Sequence, residues 1–151
     1  IPRMPKYPSE EFGRLNEYPY RSVCTFSTHD MSTLRGWGEE DYQQTQRYYN
    51  QMLGHYGTAP AIATPELCEE VVRNHLYSNS ILCILSLQDW LSMDGKWRNP
   101  NVQEERINIP ANPRHYWRYR MHLTLEQLMI AESLNEKIRE LVKQTGRNPE
   151  K

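Results

Sequence analysis

The feature that most constrains the fold is a six-residue apolar run, Ile81–Ser86 (ILCILS), echoed upstream by a shorter β-favouring run at Val23–Phe26 (VCTF). The later run does not alternate apolar with polar residues. Unbroken apolarity is the pattern of a parallel strand covered on both faces. Parallel neighbours need a long crossover, and the intervening residues offer helices. One is expected over about Glu39–Leu53, with Glu39, Glu40 and Asp41 in its first turn, where the macrodipole favours negative charge, and Gly54 as its stop. A second is expected from Thr64 (cap) and Pro65 (first helical position) through Leu67, Val71, Val72 and Leu76 to Tyr77. After the apolar run, Leu87–Met93 reads as a short helix, and Asp94–Arg114 as a long polar loop broken by prolines. Thr124 and Gln127 have capping-box spacing and open an amphipathic helix to about Gln144, leaving GRNPEK as a frayed tail. The order is two βα units. Two parallel strands cannot bury both their faces, so the rest of a sheet is expected elsewhere.

Composition narrows the function. Apolar residues make up 38% and mean hydropathy is −0.85, low for a self-sufficient core, while 10 Tyr and 4 Trp suit a carbohydrate cleft or an interface. A net charge of −1 gives no long-range attraction to nucleic acid or membrane, and neither is expected as a partner. Cys24, Cys68 and Cys83 show no metal-ligand spacing; buried free thiols in a reducing, cytoplasmic setting are expected. His55, His75 and His122 read as ordinary surface or helix residues. No cofactor or metal is expected. The opening at Ile1 without methionine suggests a piece of a longer protein.

The chemistry concentrates in Ser22–Asp41 (SVCTFSTHDMSTLRGWGEED). The first strand turns polar at Ser27 and Thr28, presents His29–Asp30, and passes through Thr33, Arg35 and Gly36 into a helix. A strand ending on a His–Asp pair is how (β/α) barrels hold reacting groups at the carboxyl-terminal mouth; the same pair could merely cap the following turn. Gln88–Asp89 follow the second strand, as site or scaffold. Asn108, in Arg106–Ile107–Asn108–Ile109–Pro110, can both donate to and accept from hydroxyls. HYWRYR, at His115–Arg120, alternates rings and guanidinium groups, either to stack on single-stranded nucleic acid or to pack the loop. The near-neutral charge disfavours the former.

Taken in order, the Arg-Met-Pro and Tyr-Pro-Tyr pieces of the opening loop, SVC…STHD…RGW, LQD, RxNxP, NPRHYWRYR and the final helix resemble the carboxyl-terminal part of the 4-alpha-glucanotransferases (amylomaltases and disproportionating enzymes, glycoside hydrolase family 77). The branch most resembled is the one containing plant cytosolic and bacterial disproportionating enzymes. The resemblance implies an α/β fold: strands seven and eight of a (β/α)8 TIM barrel with their helices. Residues 1–20 would be the loop into strand seven, 21–77 that strand and its helices, 78–123 strand eight and the active-site loop, and 124–145 the terminal helix.

The activity implied is that of a retaining transglycosylase, passing part of an α-1,4-glucan donor such as starch or maltose-type oligosaccharides to a sugar acceptor. Asp30 would be the carboxylate that stabilises the transition state, His29 and Asn108 would bind sugar, and Arg106, Gln88, Asp89 and Trp37 would support loop or site. The nucleophile and acid/base have no counterpart here, so the isolated chain is expected to be inactive and its partner to be the amino-terminal remainder of the enzyme. The alternative is a non-catalytic fragment that self-associates or binds carbohydrate. Where the family reads GWW, this chain reads Gly36–Trp37–Gly38, which predicts a looser start to the helix. Met31 follows the His–Asp pair where many members carry Asn.

Overall fold

A computed structural model of the chain describes residues 1–147. Two short strands, β1 (Val23–Cys24) and β2 (Leu82–Cys83), pair in parallel with Val23 opposite Leu82 and Cys24 opposite Cys83. Around them lie helices α1 (Leu34–Glu40), α2 (Tyr42–Gln51), α3 (Pro65–Leu76), α4 (Leu87–Leu91), α5 (Leu125–Met129) and α6 (Glu132–Gln144), with 3-10 turns at Leu15–Glu17 and Val102–Glu105.

Short-range sequence signals set most of the helix starts. Thr64 accepts from the Leu67 N–H at 3.2 Å ahead of Pro65, and Ser86 accepts from the Asp89 N–H at 3.1 Å. Thr124 and Gln127 close the expected capping box in both directions, at 2.8 and 3.2 Å. The acidic cluster behaves differently from the expectation. Thr33 caps α1 six residues before Glu39, Glu39 and Glu40 sit at that helix's end, and Asp41 begins a new helix by accepting from the Gln44 N–H at 3.0 Å. One expected helix is therefore two, because an Asp that caps cannot also continue a helix. The final helix divides likewise. Ala131 leaves helical geometry, and the Asn135 amide donates to the Leu128 carbonyl at 2.9 Å, satisfying a carbonyl at the end of α5.

The core lies between the helices and one side of the strand pair. Phe26, Trp37 and Tyr48 meet edge to face, Trp37–Tyr48 at 5.3 Å and 80°, with Phe12 from the opening loop 5.1 Å from Tyr48. The Arg3 guanidinium lies 4.9 Å over Phe26. The expected two-sided burial of the strands is not seen: Cys24, Phe26 and Leu85 are buried, whereas Val23, Ile81, Leu82 and Ile84 are each about half exposed. Among the described residues this two-strand ladder has helices on one side and no further strands to cover it.

His75, expected as a surface or helix residue, lies on α3 and is fully buried against Phe26, its Nδ1 2.7 Å from the Val71 carbonyl and its Nε2 without a partner among the described residues. Burial lowers its pKa to about 4, against the smaller opposing effect of that hydrogen bond. Gly38, expected to loosen the start of the helix, sits in close packing: a Cβ there would lie 3.3 Å from Ala63 Cβ, so its absence lets α1 approach the segment before α3. The tail expected to fray begins with an anchored residue, for Arg147 donates to the carbonyls of Leu76, Ser78 and Ser80. The rest of that tail, 148–151, lies outside the described residues.

Candidate functional site

Beyond Phe26 the first strand gives way to hydroxyl-bearing residues that bend the chain. Met31 N–H donates to the Thr28 carbonyl at 3.1 Å, and the turn lifts His29 and Asp30 into solvent, their side chains a little over half exposed. Thr33 caps the following helix, which leaves Asp30 free of capping duty. One of its partners comes from 78 residues away. The Asn108 amide donates to Asp30 Oδ1 at 2.7 Å, and the Asn108 backbone N–H donates to the His29 carbonyl at 3.1 Å. His29 Nε2 stands 3.4 Å from Asp30 Oδ2. His29, Asp30 and Asn108 are thus brought together at the ends of the two strands.

Arg106 ties that loop to α1. Its Nε donates to the Asn108 carbonyl at 3.0 Å, and its Nη1 pairs with Glu40 at the end of α1, also at 3.0 Å. Gln88 and Asp89 lie beneath the site, not in it. Gln88 donates to the Glu105 carbonyl at 3.1 Å, while the fully buried Asp89 accepts from Ser27 Oγ at 2.6 Å and the Leu34 N–H at 2.8 Å. Burial raises the Asp89 pKa, and the two hydrogen bonds oppose it. Trp37 is in the aromatic core, its indole N–H donating to Gln44 Oε1 at 2.9 Å, away from Asp30 and Asn108.

The loop carrying Asn108 is pinned by a pair that sequence reasoning gave no role. Glu105, 2% exposed, holds Arg35 Nη1 at 2.6 Å and accepts from Thr33 Oγ1 at 2.9 Å; Arg35 also donates to the Asn99 carbonyl at 2.6 Å. The Glu105 carboxyl titrates above its ordinary value because burial outweighs the pull of Arg35. No local spacing announces a contact between residues 70 apart. Trp117, within the ring-rich HYWRYR stretch, places its indole 5.4 Å from the His29 ring at 54°. His115 packs the loop, as one reading of that stretch expected, through Nε2 2.9 Å from the Ile107 carbonyl, but Tyr116 and Trp117 stay exposed. Below the loop a cavity of about 190 Å³ is lined by Thr28, His29, Ile84, Gln88 and Ile107 among others. Among the described residues no cluster of His, Cys, Asp and Glu could hold a metal, and no helix is long and apolar enough to cross a membrane.

The sequence profile of the 4-alpha-glucanotransferases matches residues 1–125. The chain belongs to that family. It is 41% identical to the rice (Oryza sativa subsp. japonica) 4-alpha-glucanotransferase DPE2 over 98% of its own length and 16% of the rice protein's. It is 33% identical to the Chlamydia muridarum 4-alpha-glucanotransferase, over 80% of this chain and 22% of that one. The chain therefore spans about a fifth of the glucanotransferases it matches. Its fold matches part of the amylomaltase from Streptococcus agalactiae, solved in complex with acarbose. The TM-score is 0.60 over 85% of this chain and 22% of that one, at 21% identity.

Proposed function

We propose that this chain is the carboxyl-terminal part of a 4-alpha-glucanotransferase, in which β1 and β2 are strands seven and eight of a (β/α)8 TIM barrel. Residues 1–20 lead into strand seven, 21–77 hold that strand and its helices, 78–123 strand eight and the site loop, and 124–145 the final helical stretch. The parent is a cytoplasmic retaining transglycosylase that moves glucosyl units or α-1,4-glucan segments from a malto-oligosaccharide donor to a sugar acceptor. Its nucleophile and acid/base lie in the amino-terminal remainder of the enzyme.

One observation carries this reading: in a chain of this family, His29, Asp30 and Asn108 converge at the ends of two parallel strands. Glycosidic cleavage develops positive charge on the sugar ring. A carboxylate hydrogen-bonded to ring hydroxyls holds them more strongly as that charge grows, so its contribution is largest in the transition state. Asp30 has that role; His29 and Asn108 orient the same sugar, while Arg106, Gln88 and Asp89 hold the loop and strand ends. Asp30→Asn in the full-length parent keeps the shape and removes the charge. The expected result is a kcat lowered about 10²-fold or more with little change in KM, measured by disproportionation of maltotriose. Near-normal turnover would refute the assignment.

A further inference from the structure

Trp117 is 60% exposed and Tyr116 76%, although both rings sit on a segment fixed at its start by His115 to the Ile107 carbonyl. A large aromatic side chain usually gains by burial. Here the indole instead leans on His29, 5.4 Å between ring centres and tilted by 54°, with much of its surface turned to solvent. His29 is in turn 3.4 Å from Asp30, whose other oxygen holds Asn108. The polar groups that would grip sugar hydroxyls therefore lie beside an indole with free surface. A pyranose presents hydroxyls at its rim and C–H bonds on its faces, so a site gripping the rim with Asp30 and Asn108 is completed by an aromatic surface against a face.

We propose that Trp117 is a further saccharide-contacting residue of this site, bracing the His29 ring and offering its indole to the C–H face of a glucosyl ring. The proposal rests on the reading of Asp30 and Asn108 as sugar-binding. A stacking contact is present in the ground state as well as the transition state, so its loss acts on binding more than on turnover. Stacking of this kind is worth about 1 kcal/mol, so Trp117→Ala should weaken binding about fivefold.

The test uses the full-length parent with acarbose as the probe in titration calorimetry, and maltotriose for kinetics. Trp117→Ala is expected to raise the Kd for acarbose and the KM for maltotriose by about fivefold with kcat within about threefold. Trp117→Phe, which keeps a ring, should recover most of the affinity. An unchanged Kd in Trp117→Ala overturns the proposal. An equal loss in Trp117→Phe also overturns it, because that outcome marks a packing role. Asp30→Asn separates the two claims. If it loses turnover while Trp117→Ala binds acarbose normally, only the Trp117 proposal fails; if it turns over normally, the sugar-site reading itself has failed.

Discussion

Replacing Glu105 by Ala should damage the protein out of proportion to the atoms removed. Glu105 and Arg35 are 2% and 6% exposed, and the pair at 2.6 Å shares its polar capacity with Thr33 and the Asn99 carbonyl. Burial raises the Glu105 pKa against the pull of Arg35, and buried ion pairs in general add little net stability. Breaking this one leaves Arg35 in the interior without its partner carboxylate. Breaking a buried pair costs about 3–5 kcal/mol. In a domain of about 150–250 residues that is a fall in Tm of roughly 6–20 °C. Calorimetric unfolding of the full-length parent is the measurement. Arg35→Met with Glu105→Leu removes both charges and should restore most of the loss, since an apolar replacement of a buried pair is often neutral or better. A Tm within about 2 °C of wild type in Glu105→Ala would correspond to less than about 1 kcal/mol and would refute the reasoning. So would a double variant no more stable than the single one.

Two shorter predictions concern stability and assembly. His75 is fully buried with its pKa lowered to about 4, so the unfolded chain binds its proton first as pH falls. The stability this neutral histidine contributes is complete above about pH 6.5 and is lost towards pH 4, up to about 3 kcal/mol. Urea midpoints of the parent and of His75→Leu should diverge accordingly across that interval, and parallel pH curves would refute the assignment. The exposed apolar residues Val23, Ile81, Leu82 and Ile84 lie on an open two-strand ladder, and a few hundred Å² of such surface is worth several kcal/mol at ~25 cal/mol per Å². The isolated chain is expected to associate in sedimentation experiments; a compact monomer with a cooperative melt would refute this.

The sequence was most legible where cause and effect lie within one turn. Thr64–Pro65 and Thr124–Gln127 cap as expected because their donors are three residues away. The acidic run at Glu39–Asp41 was misleading for a physical reason: an acid favours a helix's first turn and also favours capping one, and only the fold decides between them. Asn108 and Asp30 could be named as separate candidates, but their 2.7 Å contact depends on how a long loop returns over the strand ends. Arg35 and Glu105 were opaque altogether. A lone Arg in a capping stretch and a Glu in a polar loop look solvated until tertiary structure removes the water. His75 could be placed on a helix from the sequence, but that the helix turns it fully inward depends on the packing against Phe26.

The contacts at Asp30 explain how it can be both held and available. A carboxylate has about four lone-pair positions. Asn108 occupies one on Oδ1, His29 stands near Oδ2, and the side chain remains about half exposed. Two neighbours are enough to fix the rotamer, and the remaining positions stay open to other donors. Buried as deeply as Asp89, a carboxylate would have its acceptors committed to the scaffold and its pKa pushed upward, as Asp89 does. The two aspartates thus divide the work. Asp89 ties the end of β1 to the start of α1 through Ser27 and Leu34. The turn between those two fixed points is what carries Asp30, so rigidity is supplied from below while the carboxylate stays half exposed to solvent.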